Sequence, residues 1–259
     1  MDDTYQEAAP PPALAPFVSR LWSYRADTPS GGVQRIVPDG CCELIVHLGT
    51  PYDAQGPDGA WHRQPAVLFA GQLTRPLALR PTGPVHVIAA RFTPDGARPL
   101  LGSPLRRATD RTLDLSDRLP RPPTDLTALA TWLETRRAQE RWAIDPTVRA
   151  ALQDQAPPDH PAARRALQRA FLDQVGVPAR TLRSIRRFRA VFERAEHPDA
   201  AAGAWLRAGL DAGYFDQPQM ARDFRRFLGC TATEWARQQS ELARRLASQS
   251  YKTDAIVAF

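Results

Sequence analysis

The residues best suited to specific chemistry lie in DAGYFDQPQMARDFRRFLG, the segment that begins at Asp211. Glutamine can form two parallel hydrogen bonds to an adenine edge, and arginine can do the same to a guanine edge. A helix over this segment places Met220, Phe224 and Phe227 on one face, which suits a core. The polar and basic residues then point away from that core: Gln217, Arg222, Arg225 and Arg226. This face suits the reading of bases in a major groove, although an ordinary solvated helix shows the same pattern.

The surrounding residues predict a helix, a tight turn and a second helix. Gly213 can adopt the positive φ of a helix-ending turn, Asp216 can cap the second helix, and Pro218 is tolerated in its first turn. The first helix of the pair, AAAGAWLRAGLDAG, carries Gly209 in its interior, which costs about 1 kcal/mol relative to alanine. Gly203 weakens the start of the same helix. We therefore expect a helix-turn-helix unit whose first helix is slightly weakened.

A second basic segment, RALQRAFLDQVGVPARTL, runs from Arg165 to Leu182 and predicts a helix that closes at Gly176. A longer helix follows, with Ile185, Phe188 and Phe192 at helical spacing.

Prolines lie immediately upstream of this basic segment. Pro157-Pro158 and Pro161 cannot sit inside a helix, so the helix before the basic segment should be shortened or lost. Asp159 is the expected cap of a helix that begins near Pro161.

The C-terminal pattern resembles the DNA-binding domain of AraC/XylS-type transcriptional regulators. The second helix-turn-helix of that family is matched by Gly213-Tyr214, Asp216-Gln217, Arg222, Phe224, Gly229 and Thr231. The segment from Arg165 to Leu182 resembles the first recognition helix and the start of the helix that joins the two units. The resemblance implies two reading helices that enter successive major-groove faces about 34 Å apart.

The resemblance also implies roles for individual residues. In the first unit, Arg165, Gln168 and Arg169 match positions that reach base edges, and Arg164 is placed for a phosphate. In the second unit, Gln217 and Arg222 match base-reading positions, while Gln219 matches a backbone contact. The prolines upstream of the first unit, and Ala163 where the family usually has a capping Ser or Thr, predict that the second unit is the better folded reader.

The N-terminal part predicts a small β-barrel or sandwich. Val33 to Val37 and Cys41 to Leu48 flank Pro38-Asp39-Gly40, which predicts a β-hairpin. Further strands are expected at residues 66–71, 77–80 and 85–92. The segments PDGCCELIVHLG, AGQLTRPLALRPTG and AARFTPDGARPLLG resemble the N-terminal domain of AraC-like proteins in which this half is known only as a domain of unknown function. AraC-type proteins in general carry a cupin-like sensor there, which binds a small effector or dimerises.

Glu43 and His47 are the candidate ligand-binding residues of this N-terminal part. Strand alternation places both on one face, opposite Leu44 and Val46. They line a pocket if that face points into a barrel, and they are surface residues if it points outward; we favour the outward arrangement. The histidines are scattered without the closely spaced pair of a metal-binding cupin, so no metal and no cofactor are predicted.

A helix is expected between the two parts, with Asp125 as its N-cap and Leu126, Leu129, Ala130 and Leu133 on one face. We expect this helix to dock on the N-terminal domain, with dimerisation or signal linking as the alternative. The predicted fold is α+β: a cupin-like β-rich domain over 1–118, a helical linker over 119–145, an all-α domain with two helix-turn-helix units over 146–245, and a tail over 246–259.

Charge divides unevenly along the chain. Residues 160–259 hold 17 Lys+Arg against 10 Asp+Glu, whereas residues 1–159 hold 17 against 18. A basic C-terminal part suits the neutralisation of phosphates, although a basic solvated surface gives the same count. The start of the chain is acidic and proline-rich, unlike a signal peptide, and no apolar run is long enough to cross a bilayer, so a cytoplasmic protein without a membrane partner is predicted. The resemblance to AraC-type regulators implies a bacterial protein.

The predicted function is sequence-specific DNA binding in transcription regulation, with double-stranded DNA as the partner. The resemblance adds a small-molecule effector of unknown identity, a homodimer, and RNA polymerase if the regulator activates. Two alternatives stay open: a degenerate member that acts through protein contacts, and a cupin-like enzyme, for which the sequence offers no nucleophile–base or metal constellation.

Overall fold

The computed structural model describes residues 4–27, 32–153, 160–194, 202–231 and 234–235, without the side chains of 192–194 and 202–206. The chain divides into two compact units. The first consists of Met1–Gln34, Cys41–Leu73 and Ala78–Ala179, and the second of Arg35–Gly40, Thr74–Leu77 and Arg180–Phe259. The predicted tail over 246–259 lies outside the described residues.

The described part of the chain forms ten strands in two sheets. In chain order they are β1 (Thr4–Ala8), β2 (Val18–Ala26), β3 (Gln34–Ile36), β4 (Glu43–His47), β5 (Asp53–Gln55), β6 (Trp61–Arg63), β7 (Val67–Ala70), β8 (Leu77–Arg80), β9 (Val85–Phe92) and β10 (Thr112–Asp114). The larger sheet has the order β1-β2-β9-β4-β7-β10 with antiparallel neighbours. The smaller has the order β3-β8-β5-β6. The β-rich N-terminal part is therefore confirmed, and the strands predicted at 66–71, 77–80 and 85–92 are present as β7, β8 and β9.

The predicted hairpin of β3 and β4 is wrong. Gly40 has the positive φ of 85° that a turn requires, but the strands on either side of it belong to different sheets. Both edges of β4 are occupied, one by β9 and the other by β7. No edge is left for β3, which neighbours β8 instead. The turn at Gly40 was predicted correctly, whereas the pairing of β3 with β4 was not.

The helices, in chain order, are α1 (Arg98–Leu101), α2 (Leu126–Glu140), α3 (Pro146–Leu152), α4 (Pro161–Val175), α5 (Ala179–Arg194), α6 (Ala202–Asp211) and α7 (Gln217–Leu228). The linker helix is α2, and its start is as predicted: the Ala128 N–H donates to Asp125 Oδ1 at 2.8 Å. Leu129 and Leu133 are fully buried in the core that also contains Leu44 and Phe92 of the large sheet. The expectation that this helix docks on its own N-terminal domain is thus confirmed.

An ion pair attaches α3 to the first unit. Arg149 donates from Nε to Asp95 Oδ2 at 2.6 Å and from Nη2 to Asp95 Oδ1 at 2.9 Å. The Asp95 side chain is only 2% exposed, and Arg149 Nη2 also donates to the Pro16 carbonyl at 2.8 Å. The seven-residue α3 ends at Leu152, before the prolines that were predicted to shorten a helix here. Asp159, the predicted cap of the next helix, lies outside the described residues, and the prediction is wrong because the N-cap of that helix is His160.

The first compact unit also includes α4. Phe171 and Val175 are its buried residues, and Arg106 forms an ion pair with Asp173. Gly176 ends the helix with a φ of 90°, as predicted, and its carbonyl accepts a hydrogen bond of 2.7 Å from Thr109 Oγ1. The helix that the sequence places at the start of a C-terminal domain is therefore packed within the same unit as the β-sheets.

The second unit has a small aromatic core. Phe188 of α5 lies 5.1 Å from the Phe224 ring and 5.5 Å from the Phe227 ring, both on α7, and all three side chains are fully buried. Ile185 and Val191 of α5 are buried in the same core. The predicted core faces of α5 and α7 are confirmed wherever their side chains are described. Phe192, also predicted to belong to this face, has no described side chain.

Among the residues that the structure describes, none of the helices combines the length and the apolar character needed to cross a membrane.

Candidate nucleic-acid interface

The predicted sequence of helix, tight turn and second helix is present as α6, a turn at Gly213 and α7. Gly213 has a φ of 91°, a backbone conformation that glycine adopts at little cost. The Tyr214 N–H donates to the Gly209 carbonyl at 3.0 Å, which closes the end of α6. Asp216 caps α7 by accepting from the Gln219 N–H at 2.6 Å, and Pro218 lies in the first turn. Each predicted start and stop signal of this unit is confirmed.

The two faces of α7 differ as the sequence predicts. Met220, Phe224 and Phe227 are buried, as is Leu228. The exposed residues of α7 include the four polar and basic side chains that were predicted to point outward: Gln217, Arg222, Arg225 and Arg226. This arrangement leaves a cationic surface opposite an aromatic core.

Gln219 stabilises the start of α7. Its side-chain Oε1 accepts a hydrogen bond of 3.1 Å from the Phe215 N–H, while its own N–H donates to Asp216. The two bonds resemble a capping box, except that Gln219 accepts from Phe215, the residue before the N-cap, and they satisfy two N–H groups at the helix start. The bond from Phe215 uses only the amide oxygen of Gln219, so its side-chain NH2 can still donate to a DNA phosphate, although the side chain is half-buried.

A polar cluster joins α5, the turn and α7. The Tyr214 hydroxyl donates to Asp223 Oδ2 at 3.1 Å, and Arg187 Nη2 lies 3.9 Å from the same oxygen. Arg187 also stacks over the Tyr214 ring at 5.4 Å. Burial raises the pKa of Asp223 above its ordinary value, although the Tyr214 hydrogen bond and the Arg187 charge oppose the shift. Burial, followed by the Asp223 charge, also raises the pKa of Tyr214.

No spacing or motif in the sequence predicted this cluster. Arg187 was placed only within a helix pattern, and Asp223 sits between an exposed arginine and a buried phenylalanine without a distinctive spacing. An acidic residue in a strongly basic helix was the available signal.

The residues predicted to read DNA in the first helix-turn-helix share one exposed surface, which lies on α4. Phe171 and Val175 of α4 face the core of the first unit. The exposed residues of α4 include all of the predicted contacts: Arg164, Arg165, Gln168 and Arg169. The cap of α4 is His160, whose Nδ1 accepts from the Ala162 N–H at 3.2 Å. The predicted readers are thus divided between two compact units, four on α4 and the rest on α7.

Glu43 is enclosed by polar partners. Its Oε1 accepts from Arg91 Nε at 2.8 Å and from Trp22 Nε1 at 3.1 Å. The Glu43 and Arg91 side chains are 17% and 15% exposed. A carboxylate held in this way is a fixed acceptor, and any ligand that used it would share it with these two donors.

His47 is buried, so its predicted outward, surface placement is wrong. Its exposed fraction is 8%, and its ring lies 6.0 Å from that of Tyr52. Among the described residues neither ring nitrogen has a hydrogen-bond partner. Burial lowers the pKa of His47 to about 4, and the neighbouring Gln64 opposes this shift only in part. The side chain is therefore neutral in the folded protein over most of the accessible pH range.

Acid should weaken the first unit through His47. The unfolded chain binds a proton near the ordinary pKa of 6.5, whereas the folded chain binds it near 4. Because the folded state carries fewer protons in this window, its stability falls as pH falls. Between pH 7 and pH 5 we expect the free energy of unfolding to drop by about 2 kcal/mol on this account.

Urea unfolding across this pH range, in wild type and in His47→Leu, measures the effect. His47→Leu should show a flatter profile, whereas His62→Leu, at a well-exposed histidine, should keep the wild-type profile. Identical slopes in wild type and His47→Leu would contradict the assignment.

The N-terminal part of the chain matches a protein family whose function has not been assigned. Residues 6–114 match a family described as Domain of unknown function (DUF6597). No curated protein matches the chain. The match agrees with the resemblance of this half to a domain of unknown function, and it assigns no activity.

Among solved structures, similarity is found to ToxT from Vibrio cholerae. One structure of ToxT has 9% sequence identity and a TM-score of 0.40, covering 90% of this chain and 96% of that chain. Another crystal form has 8% identity and a TM-score of 0.42, covering 90% and 98%. Wild-type ToxT with a bound unsaturated fatty acid has 10% identity and a TM-score of 0.38, covering 91% and 94%. Values this low carry no conclusion about the function of this chain.

Proposed function

We propose that this protein is a DNA-binding transcriptional regulator of the AraC type, and that α7 is its principal reading helix. The observation that carries the proposal is the outer face of α7, where Gln217 and Arg222 lie exposed, opposite the closed core around Phe188 and Phe224. The second helix of a helix-turn-helix enters the major groove with its N-terminal residues at the base edges. Gln217, at the first position of α7, and Arg222, in its second turn, are suited to adenine and guanine.

Arg225 and Arg226 follow in the last turn of α7. Arginines beyond the base-reading end of such a helix suit phosphate oxygens, which fix the register without selecting a sequence. We assign Arg226 this role.

The other reading helix in the proposal is α4. Arg165, Gln168 and Arg169 would reach base edges, with Arg164 on a phosphate. Because α4 packs in the first unit, movements of that unit would act directly on this reader. We further propose that residues 1–118 sense an effector or dimerise, that residues 119–145 link the two domains, and that residues 146–245 bind DNA. The proposed partners are double-stranded DNA, a small-molecule effector, a second copy of the chain, and RNA polymerase if the regulator activates.

A gel-shift titration of the full chain tests the proposal. The probes are a duplex from the region upstream of its own gene and a shuffled duplex of the same composition, each titrated from about 50 to 200 mM salt. We expect tighter binding of the upstream duplex and a logarithmic salt slope near −0.9 for each neutralised phosphate. A chain that does not discriminate between the duplexes and shows no salt slope would instead support the degenerate form that acts through protein contacts.

Two arginines of α7 should respond differently to truncation. Arg222→Ala should weaken binding of the preferred duplex by about 1–3 kcal/mol and relax the preference at one base pair, because a bidentate base contact is lost. Arg226→Ala should weaken both duplexes equally and reduce the salt slope by about 1. Equal losses on both duplexes for Arg222→Ala would exclude its reading role.

A further inference from the structure

Phe215 is the large hydrophobic side chain with the greatest exposure in the described part of the chain. It is 89% exposed, compared with 61% for Val33 and 53% for Leu210. An isolated apolar side chain at a surface is common and needs no explanation by itself. Phe215 differs because of the position it occupies, immediately before the N-cap of α7.

The backbone of Phe215 is fixed while its ring is left in water. Its N–H donates to Gln219 Oε1, and Asp216 beside it caps the helix. An apolar residue at this position commonly packs on the fourth residue of the helix and so fixes the entry of the chain. That residue is Met220, which is 6% exposed and contacts α6 at Gly209.

Met220 therefore packs into the helix-turn-helix core without covering Phe215. An exposed phenyl ring on a fixed backbone thus lies at the start of the proposed reading helix. Its burial by a partner would recover the favourable transfer of apolar surface from water.

The residues around Phe215 indicate which kind of partner would cover its ring. Gln217 follows two residues later, and three exposed arginines lie further along α7, namely Arg222, Arg225 and Arg226, while the Asp216 carboxylate occupies the helix N-terminus as its cap. A cationic surface favours the phosphate-lined groove of DNA over an apolar protein. The apolar group that a major groove offers is the 5-methyl of thymine, which phenylalanine can contact.

We propose that Phe215 reads thymine in the operator by packing on its 5-methyl group. The inference rests on the proposed function and adds a base preference to it. Phe215 would act beside Gln217, so that an apolar contact and an amide contact select neighbouring base pairs.

The test uses the full chain and a duplex enriched by wild type from a randomised pool. Each thymine of that duplex is replaced in turn by deoxyuridine, which removes only the methyl group. Wild type should lose about fourfold in affinity at one position, the value of one buried methyl. Phe215→Ala should bind the thymine duplex at least fourfold more weakly and should show no loss on that replacement.

Leu210→Ala is the matched control, because Leu210 is also an exposed apolar residue of the same unit. It should keep the wild-type response to uracil. Phe215→Ala should keep the wild-type thermal unfolding midpoint, since its ring is exposed in the free protein.

The outcomes separate the two proposals. If wild type enriches no duplex, the proposed function fails and the reading of thymine fails with it. If a duplex is enriched but wild type tolerates uracil at every position, or Phe215→Ala keeps the methyl dependence, only the inference about Phe215 is overturned.

Discussion

Phe188→Ala should destabilise the second unit by about 3–5 kcal/mol and abolish DNA reading by α7. The Phe188 ring is fully buried between Phe224 and Phe227, so its removal leaves a cavity in a small core. The proposed reading face is held by this core together with the polar cluster of Tyr214, Arg187 and Asp223. A unit that is substantially unfolded cannot hold Gln217 and Arg222 in one register.

Amide hydrogen exchange measures this effect where it should occur. Amides of α7 should lose protection in Phe188→Ala, whereas amides of β4 and β9 in the first unit should keep theirs. Phe188→Leu preserves most of the volume and should cost far less. Arg183→Ala, at an exposed position on the same helix, should leave both units unchanged. Unchanged protection of α7 in Phe188→Ala would show that the aromatic core does not hold the reading helix.

Local structure in the second unit could be predicted because neighbouring residues determine it. Asp216 caps its own helix, Gly213 provides its own turn, and the spacing of Phe224 and Phe227 defines a face without any information about the partner. Each of these features depends on interactions within a few residues. The same applies to Asp125 and the buried face of α2.

Pairing between distant segments could not be predicted in this way. The turn at Gly40 suggested that β3 and β4 pair, but the edges of β4 are taken by β9 and β7, which lie far along the chain. Choosing among strands requires the energies of all pairings at once. His47 was misplaced for the same reason: alternation defines two faces of β4 but does not reveal that His47 is buried at the end of the half-buried one.

The position of α4 has the most direct consequence for function. Its exposed arginines fit the predicted reading role, while Thr109 and Arg106 attach it to the first unit. The proposed asymmetry between the two reading helices would thus have a structural basis beyond the upstream prolines. The proposed reading helix α7 packs on its own core, and the proposed reading helix α4 packs in the β-rich unit.

Arg149→Met tests that dependence and should destabilise the first unit by about 3–5 kcal/mol. The substitution removes both hydrogen bonds to the Asp95 carboxylate and leaves a buried charge without its partner. The helix α3 is attached through this pair, and α4 follows α3 and packs against it. Urea unfolding of the full chain, followed by hydrogen exchange in α4, measures the loss.

The double variant Asp95→Asn/Arg149→Met separates charge from packing. If the cost arises from an unpaired buried charge, the neutral amide in place of the Asp95 carboxylate should restore a substantial part of the lost stability. If Arg149 acts mainly by packing, the double variant should be no more stable than Arg149→Met.

DNA binding by Arg149→Met tests whether the two proposed reading helices depend on the Arg149–Asp95 pair to different extents. Base preference at the position read by Arg222 should survive Arg149→Met, because α7 does not depend on Asp95. Contacts made by Arg165 and Gln168 should weaken. Loss of both together would show that the two reading helices fold as one body.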